Sequence, residues 1–563
     1  MAKKAKAVKI QDRRDRFSFI PVLPIRSFSA FSPLVGIIFV LVLQATMVFR
    51  RAINWDSFWH FHLANLLNEG VLYTPLQTYF IRLFSWATML PGTAVDQLIV
   101  VRMFMFGCEI IVAAAIALLA RRFTNLSTGL LAALSYLSVG FVLQHGFSFR
   151  ADPGLAALAM SALVLLACSP FRGVWVAIFA VLLALASMFS IKIILYAPAF
   201  AGIAWLRWRE AGYEKAFLFR LLIAGVLTVG SFALLFGYHS TAGVTVEVDS
   251  QTVLSRSAQK MFVLGLPPYW MMAIKFAALS VPFFIMMILF PLAIRKSQLS
   301  LSEKIAIFGL FLPVITLAFY HNTAPYYYVF MLAPVAVACA LPVAMVARRY
   351  GVSLVTALFV LSASLVWAQE DFTVIDRQRS VLLAANEIFP EEIAYFDFCG
   401  MLPKHRKANI FMTPFMMNFY REGSIPSMVD TMRKEVVPLV IENDSMFTQV
   451  LRTRQPITQF LPADATALRE TYVHFWGPFW VAGRYIPAGT EDFKAEFRVP
   501  GLYVLSGGAV LLDGKRLNPG SAVRIDRGMH ELTSLGGAAL LRWGKDLRLP
   551  ASAAPPQPLW VYF

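Results

Sequence analysis

Charged side chains are scarce: only 15% of the 563 residues are Asp, Glu, Lys or Arg, against ~25% in ordinary soluble domains. With 58% hydrophobic residues, this mixture excludes a water-exposed surface large enough for three or four soluble domains. Acidic residues are the scarcer sign, 33 against 50 Lys and Arg, which leaves a net charge of +17. An excess of that size ordinarily points to nucleic acid. Its distribution argues otherwise, because residues 370–563 hold 21 basic and 21 acidic side chains and the whole excess lies in the apolar residues 1–369. Cysteine is rare as well. Cys108, Cys168 and Cys339 fall in apolar runs and only Cys399 lies outside them, so no disulfide framework is implied. An internal two-fold repeat, common in transporters, is also missing.

What the sequence has in abundance is long apolar runs. They fall at about 31–49, 97–120, 126–145, 154–169, 173–190, 193–206, 219–238, 269–294, 304–320, 326–346 and 351–368, many close to the ~20 residues that cross a bilayer as a helix. Eleven spans follow. If the N-terminus is cytoplasmic, the inner segments collect 20 basic residues against five acidic ones, from Lys3 in the tail through Arg121, Arg172, Arg207 and Lys296 to Arg349, as the excess of positive charge on the inner side requires. The first run is basic and then apolar, like a signal peptide, but no small-residue cleavage site follows it before Arg50, so an uncleaved span is expected. The chain then divides into a basic cytoplasmic tail (1–30), a transmembrane domain (31–368), an α/β region (369–490) and a small β domain (491–563). An odd number of spans puts the last two outside, in the periplasm of a bacterial inner-membrane protein.

Two external loops are long. Residues 50–96 carry Trp55, Phe58, Phe61, Leu63, Leu66 and Leu67 at helical spacing, with Pro75 as punctuation. Residues 239–268 are polar and end in Pro267-Pro268. All eight histidines fall on the external side, with Asp56, Arg82, Arg150, Asp152 and Lys192. Ionisable groups near spans are functional candidates by default, because burying them is costly. Asp56 reads either as a helix N-cap or as a general base. Arg150-Ala151-Asp152-Pro153 reads as a helix start with a structural ion pair, or as a charged site. Lys192 either snorkels or binds a lipid phosphate. Tyr326-Tyr327-Tyr328, after His321, suits an interfacial aromatic belt. His60, His62, His145 and His321 could supply metal ligands, so a divalent metal is possible, but no spacing among them is diagnostic.

The order of these elements over residues 31–346 resembles the GT-C superfamily of membrane glycosyltransferases, near lipid A aminoarabinose transferases and relatives of protein O-mannosyltransferases. The features concerned are Asp56 and Pro75 in the first external loop, Arg150-Ala151-Asp152, Ser190-Ile191-Lys192, and Pro325-Tyr326-Tyr327-Tyr328 with Pro334. The resemblance implies Asp56 as catalytic base and Arg150 and Lys192 as ligands of the phosphate of a polyprenyl-phosphate sugar, with Arg82 added for its position in the loop. Asp152, His60, His62, His321 and Tyr326 are then candidates for the acceptor side. Many relatives have two adjacent acids where this chain has Asp56-Ser57. The expected partners are the lipid-linked donor, a lipid or glycan acceptor and membrane lipids, with no nucleic acid.

The rest reads as soluble protein. Val436–Ile441 suggests a strand, and Asp513-Gly514 a hairpin turn within an all-β end of sandwich type. Two rival readings remain: a transporter or flippase of lipid-linked saccharides, and a non-catalytic envelope-assembly protein led by its C-terminal domain.

Overall fold

The computed structural model describes residues 28–73, 76, 78–243, 263, 265–453 and 458–561. Most of the basic tail, Pro75 and most of the 239–268 loop lie outside the described residues.

Each predicted apolar stretch is helical. The helices are α1 (Phe28–Arg50), α2 (Trp55–Glu69), the short α3 (Tyr79–Leu83), α4 (Ala94–Phe123), α5 (Leu126–Leu137), α6 (Gly140–His145), α7 (Ala151–Cys168) and α8 (Val174–Phe189). They continue with α9 (Ile191–Glu210, opening on a 3-10 turn), α10 (Lys215–Ser240), α11 (Trp270–Leu279), α12 (Val281–Lys296), α13 (Leu301–Ala318, closing on one), α14 (Tyr327–Tyr350), α15 (Val352–Ala368) and α16 (Val374–Ile388). Among the described residues α1, α4, α7, α9, α10, α13 and α14 are long and apolar enough to cross a membrane. The other four stretches are shorter or broken. Helices α5, α8 and α15 have 12, 16 and 17 residues, and α11 and α12 are bent by 104°.

The bend has a local cause. Pro282 opens α12 and has no N–H to continue the hydrogen bonding of α11. The break meets the one between α5 and α6, where the Gly140 N–H donates to Ser280 Oγ at 2.9 Å. A Cβ on Gly140 would lie 2.8 Å from Leu279 Cβ, so only glycine lets the two breaks pack.

Helix α14 is the centre of the bundle, buried along nearly its whole length despite Pro334 and Pro342. Proline is tolerated there because neighbouring helices cover the freed backbone groups. Helix α10 is the opposite case, with only Phe217 and Ala224 buried. Its apolar surface suits contact with lipid.

After α16 the chain forms strands β1 (Ala394–Phe396), β2 (Arg406–Lys407), β3 (Leu439–Ile441), β4 (Tyr472–Trp476), β5 (Phe479–Ile486) and β6 (Phe493–Phe497). Then come β7 (Gly501–Gly507), β8 (Val510–Leu512), β9 (Lys515–Leu517), β10 (Ala522–Ile525), β11 (Gly528–Ser534) and β12 (Ala539–Trp543). One sheet has the order β10-β7-β12-β5-β3-β1-β2, with β4 also on β5, and the other has β6-β11-β8-β9. Strands β1, β2 and β3 are parallel. Strand β5 joins β3 on one side and β12 on the other, so the first sheet is continuous across residue 490. A separate core around Ile486, Phe497, Leu505, Leu532 and Leu541 nonetheless fills the space between the late strands.

Candidate functional site

Helix α2 starts at a defined residue. The side chain of Asn54 accepts from the Asp56 N–H at 3.0 Å, so Asn54 is the cap and Asp56 is not. The Asp56 carboxylate is thereby free for other work. Gly70 closes the helix with φ +72°, the left-handed conformation glycine adopts without strain.

The Asp56 carboxylate pairs with Arg150, the residue that opens α7. Arg150 Nε lies 4.0 Å from Asp152 Oδ2, and Lys192 Nζ lies 2.6 Å from Asp152 Oδ1. Acid, base, acid and base therefore form one chain contributed by α2, α7 and the start of α9. The Arg150 guanidinium stands 3.2 Å from the centroid of the Tyr326 ring, a cation–π contact that holds its plane. Lys192 Nζ lies 5.7 Å from the same ring and 5.8 Å from that of Tyr327. Tyr326 in turn donates from its hydroxyl to Asn322 Oδ1 at 3.1 Å.

The four charges are mostly withdrawn from solvent, with side chains 17%, 10%, 2% and 12% exposed for Asp56, Arg150, Asp152 and Lys192. Burial works against the charge on Arg150, but Asp56, Tyr326 and Asp152 together outweigh it and the guanidinium is held above its ordinary pKa. His60 lies beside this group, edge-on to Phe80 at 5.0 Å and to Phe149 at 6.3 Å. Burial first, and Arg150 second, pull its pKa down to about 4. At neutral pH it is an uncharged imidazole.

His62 is not part of the group. Two residues along a helix is a turn of ~200°, which aims His62 at the C-terminal region, against Trp59 and Gly400. Burial, and then Lys407, lower it to about 4 as well. Arg82 is elsewhere too. Its guanidinium donates to the carbonyls of Tyr238 and His239 and to Thr241 Oγ1, and lies over the Tyr238 ring, so it caps the end of α10 and is occupied there. His321 is in the loop before α14, beside Tyr320, whose ring packs on Tyr327 at 4.7 Å. Ser57 faces away, donating to the Phe149 carbonyl at 3.4 Å. Among the described residues no three His, Cys, Asp or Glu side chains come together as a metal site.

Tyr269 went unrecognised in the sequence. Burial, and then the charge of Asp56, raise the Tyr269 hydroxyl above its ordinary value. Tyr320 is raised by burial and then Asp152. Tyr269 follows Pro267-Pro268 at the start of an apolar run, the single signal the sequence carries for it. Beyond α2 lies a buried polar cluster with no sequence signal at all: Lys407 Nζ meets Asp397 Oδ1 at 2.6 Å with both side chains fully enclosed.

The two neutral histidines make the fold sensitive to acid. Their stabilising contribution is complete above the unfolded value near 6.5 and is lost as pH falls through about 4. The difference amounts to on the order of 3 kcal/mol each. Thermal melting in detergent is expected to drop steadily from pH 6.5 to 4, and His62→Phe to flatten part of that drop.

This chain is a helical bundle followed by a C-terminal sheet-containing region, a fold it shares with solved structures. It is similar to ArnT from Cupriavidus metallidurans bound to undecaprenyl phosphate, with TM-score 0.51 and 11% identity over 72% of this chain and 92% of that one. It is also similar to the Archaeoglobus fulgidus oligosaccharyltransferase in its apo form, with TM-score 0.50 and 11% identity over 88% of this chain and 76% of that one. No protein-family profile matches the sequence, and no curated protein does.

Proposed function

We propose that the protein is an integral-membrane glycosyltransferase that moves a sugar from a polyprenyl-phosphate donor to a hydroxyl of a lipid-linked or envelope glycan. The observation that carries this is the Asp56–Arg150–Asp152–Lys192 chain, which places a carboxylate beside two cations at the converging helix ends. The fold shared with ArnT bound to undecaprenyl phosphate supports the donor class. The distribution of Lys and Arg supports a cytoplasmic N-terminus and a C-terminal domain on the opposite side, which in a bacterial inner membrane is the periplasm.

In the reaction the acceptor oxygen attacks the anomeric carbon while its proton passes to the Asp56 carboxylate. A new C–O bond forms on the face opposite the phosphate, so the centre inverts. The bond to the phosphate breaks and its electron pair leaves on the phosphate oxygen. Arg150 and Lys192 stabilise that growing charge, which fixed cations do best in a site shielded from water. Asp152 orients both cations. The resting pair between Asp56 and Arg150 also has a role, since a phosphate arriving at Arg150 competes with Asp56 and frees the carboxylate as the acceptor is deprotonated. Among the described residues no group of side chains forms a metal site, and no step is routed through one.

The test is the fate of the donor. Purified protein in vesicles with a sugar-labelled polyprenyl phosphate and detergent-extracted envelope glycans is expected to release polyprenyl phosphate and label the glycan. Sugar that stays on its carrier and only changes leaflet would make the protein a transporter.

A further inference from the structure

Asp56 hangs from the four residues Arg51, Ala52, Ile53 and Asn54 that join α1 to α2, and other parts of the molecule grip the first three. Arg102 on α4, 2% exposed, donates to the carbonyls of Arg51 and Ala52, each at 2.7 Å. Gln378 on α16 takes the next residue. Its Oε1 accepts from the Ile53 N–H at 2.9 Å, and its Nε2 donates to the Ile53 carbonyl at 2.8 Å. The same Nε2 donates to the carbonyl of Leu559 at 2.8 Å. Gln378 and Ile53 are fully buried, and Leu559 is 1% exposed.

Leu559 brings Trp560 with it. The Trp560 ring stands edge-on to Phe58 of α2 at 5.5 Å, and its Nε1 donates to the Asn443 carbonyl at the end of β3. The last strand of chain is thus wedged between α2, α16 and the sheet. From Gln378 the connection to Asp56 is short: Ile53 is fixed at both its polar atoms, Asn54 follows, and the Asn54 side chain holds the Asp56 N–H.

We propose that Gln378, with Leu559 and Trp560, is a positioning brace through which the C-terminal domain holds Asp56 in register with Arg150. The proposal rests on the reading of Asp56 as the base. A base has to be placed within ~0.5 Å of its working position, and a displacement of ~1 Å costs about 10²-fold in rate. Arg150 and Lys192 hang from α7 and α9, whereas the hydrogen bonds of Gln378 go to Ile53 and Leu559. Slackening it therefore moves the base and leaves the phosphate ligands where they are.

Gln378→Met keeps the side-chain length and removes all three hydrogen bonds. With a labelled polyprenyl-phosphate sugar, kcat is expected to fall about 30-fold, within the range set by misplacement, while the donor KM and the affinity for undecaprenyl phosphate stay at the parent value. Gln378→Glu keeps an acceptor for the Ile53 N–H and is expected to recover part of the rate. Trp560→Ala loosens the same helix from the other side, so the proposal remains testable if Gln378→Met does not fold. Parent kcat in folded variants, or a matching loss of undecaprenyl phosphate binding and kcat, would overturn the brace. Asp56→Asn measured alongside separates the two possible failures. If that variant turns over like the parent, the assignment of the base fails. If it is inactive while the brace variants are unimpaired, the brace alone fails.

Discussion

Lys407→Met is expected to cost about 3–5 kcal/mol, the usual size for removing one partner of a buried ion pair. Lys407 and Asp397 are enclosed to 0% side-chain exposure, and the ammonium also donates to the Asp397 carbonyl and, at 3.0 Å, to Asn409 Oδ1. The carboxylate meanwhile accepts from the N–H groups of Gly400 and Met401 and from Asn443 Nδ2 at 2.8–3.0 Å. Burial pushes the Asp397 pKa up, but Lys407 and the N–H groups of Met401 and Gly400 together outweigh it and hold the carboxyl below its ordinary value. Without the lysine the carboxylate is charged, enclosed and only partly compensated. The double variant Asp397→Asn with Lys407→Met removes the orphan charge and is expected to regain a large part of the loss. A melting temperature for Lys407→Met equal to the parent's would show that the pair is not what holds this region.

That loss would reach the site. The loop around Asp397 lies against α2, where Trp55 meets Phe398 at 6.2 Å, Trp59 stacks on Phe411 at 5.1 Å and His62 abuts Gly400. Activity is therefore expected to fall together with stability in Lys407→Met. The brace variants are expected instead to lose turnover while keeping the parent's donor binding.

The helices were legible in the sequence because a bilayer-length apolar run has few other meanings. Their breaks were not. A hydropathy window weighs Ser138 and Ser280 like any other polar residue, and that the two breaks pack on each other through Gly140 and Ser280 depends on partners 140 residues apart. Asp56, Arg150, Asp152 and Lys192 stood out because charge near a span is expensive. Their union into one chain was not readable, since Asp56 and Arg150 are separated by 94 positions. Arg82 shows the limit of arguing from position in a loop, because nothing local reveals that the end of α10 lies above it. His62 shows what a helix periodicity can correct, since two residues from His60 is the opposite face. The late strands were visible from alternation and turns, but the pairing of β5 with β12 across residue 490 is non-local and leaves no mark on either segment. Gln378 and Asp397 look like ordinary polar residues, and only their burial reveals their tasks.

Asp56→Asn bears most directly on the function. Asparagine keeps the shape of the carboxylate and an oxygen that can accept from Arg150, so the charged chain and the donor's phosphate ligands remain in place. What it removes is the capacity to take a proton. A positioned general base contributes ~10²–10⁴-fold to rate, and an interaction made only in the transition state lowers kcat and kcat/KM together. The decisive measurement is single-turnover transfer from a labelled polyprenyl-phosphate sugar by the parent and by Asp56→Asn at equal occupancy of donor. The parent is expected to release polyprenyl phosphate rapidly, the variant at a rate about 10²–10⁴-fold lower, with donor binding unchanged. Transfer at the parent rate by Asp56→Asn would contradict the assignment of the base.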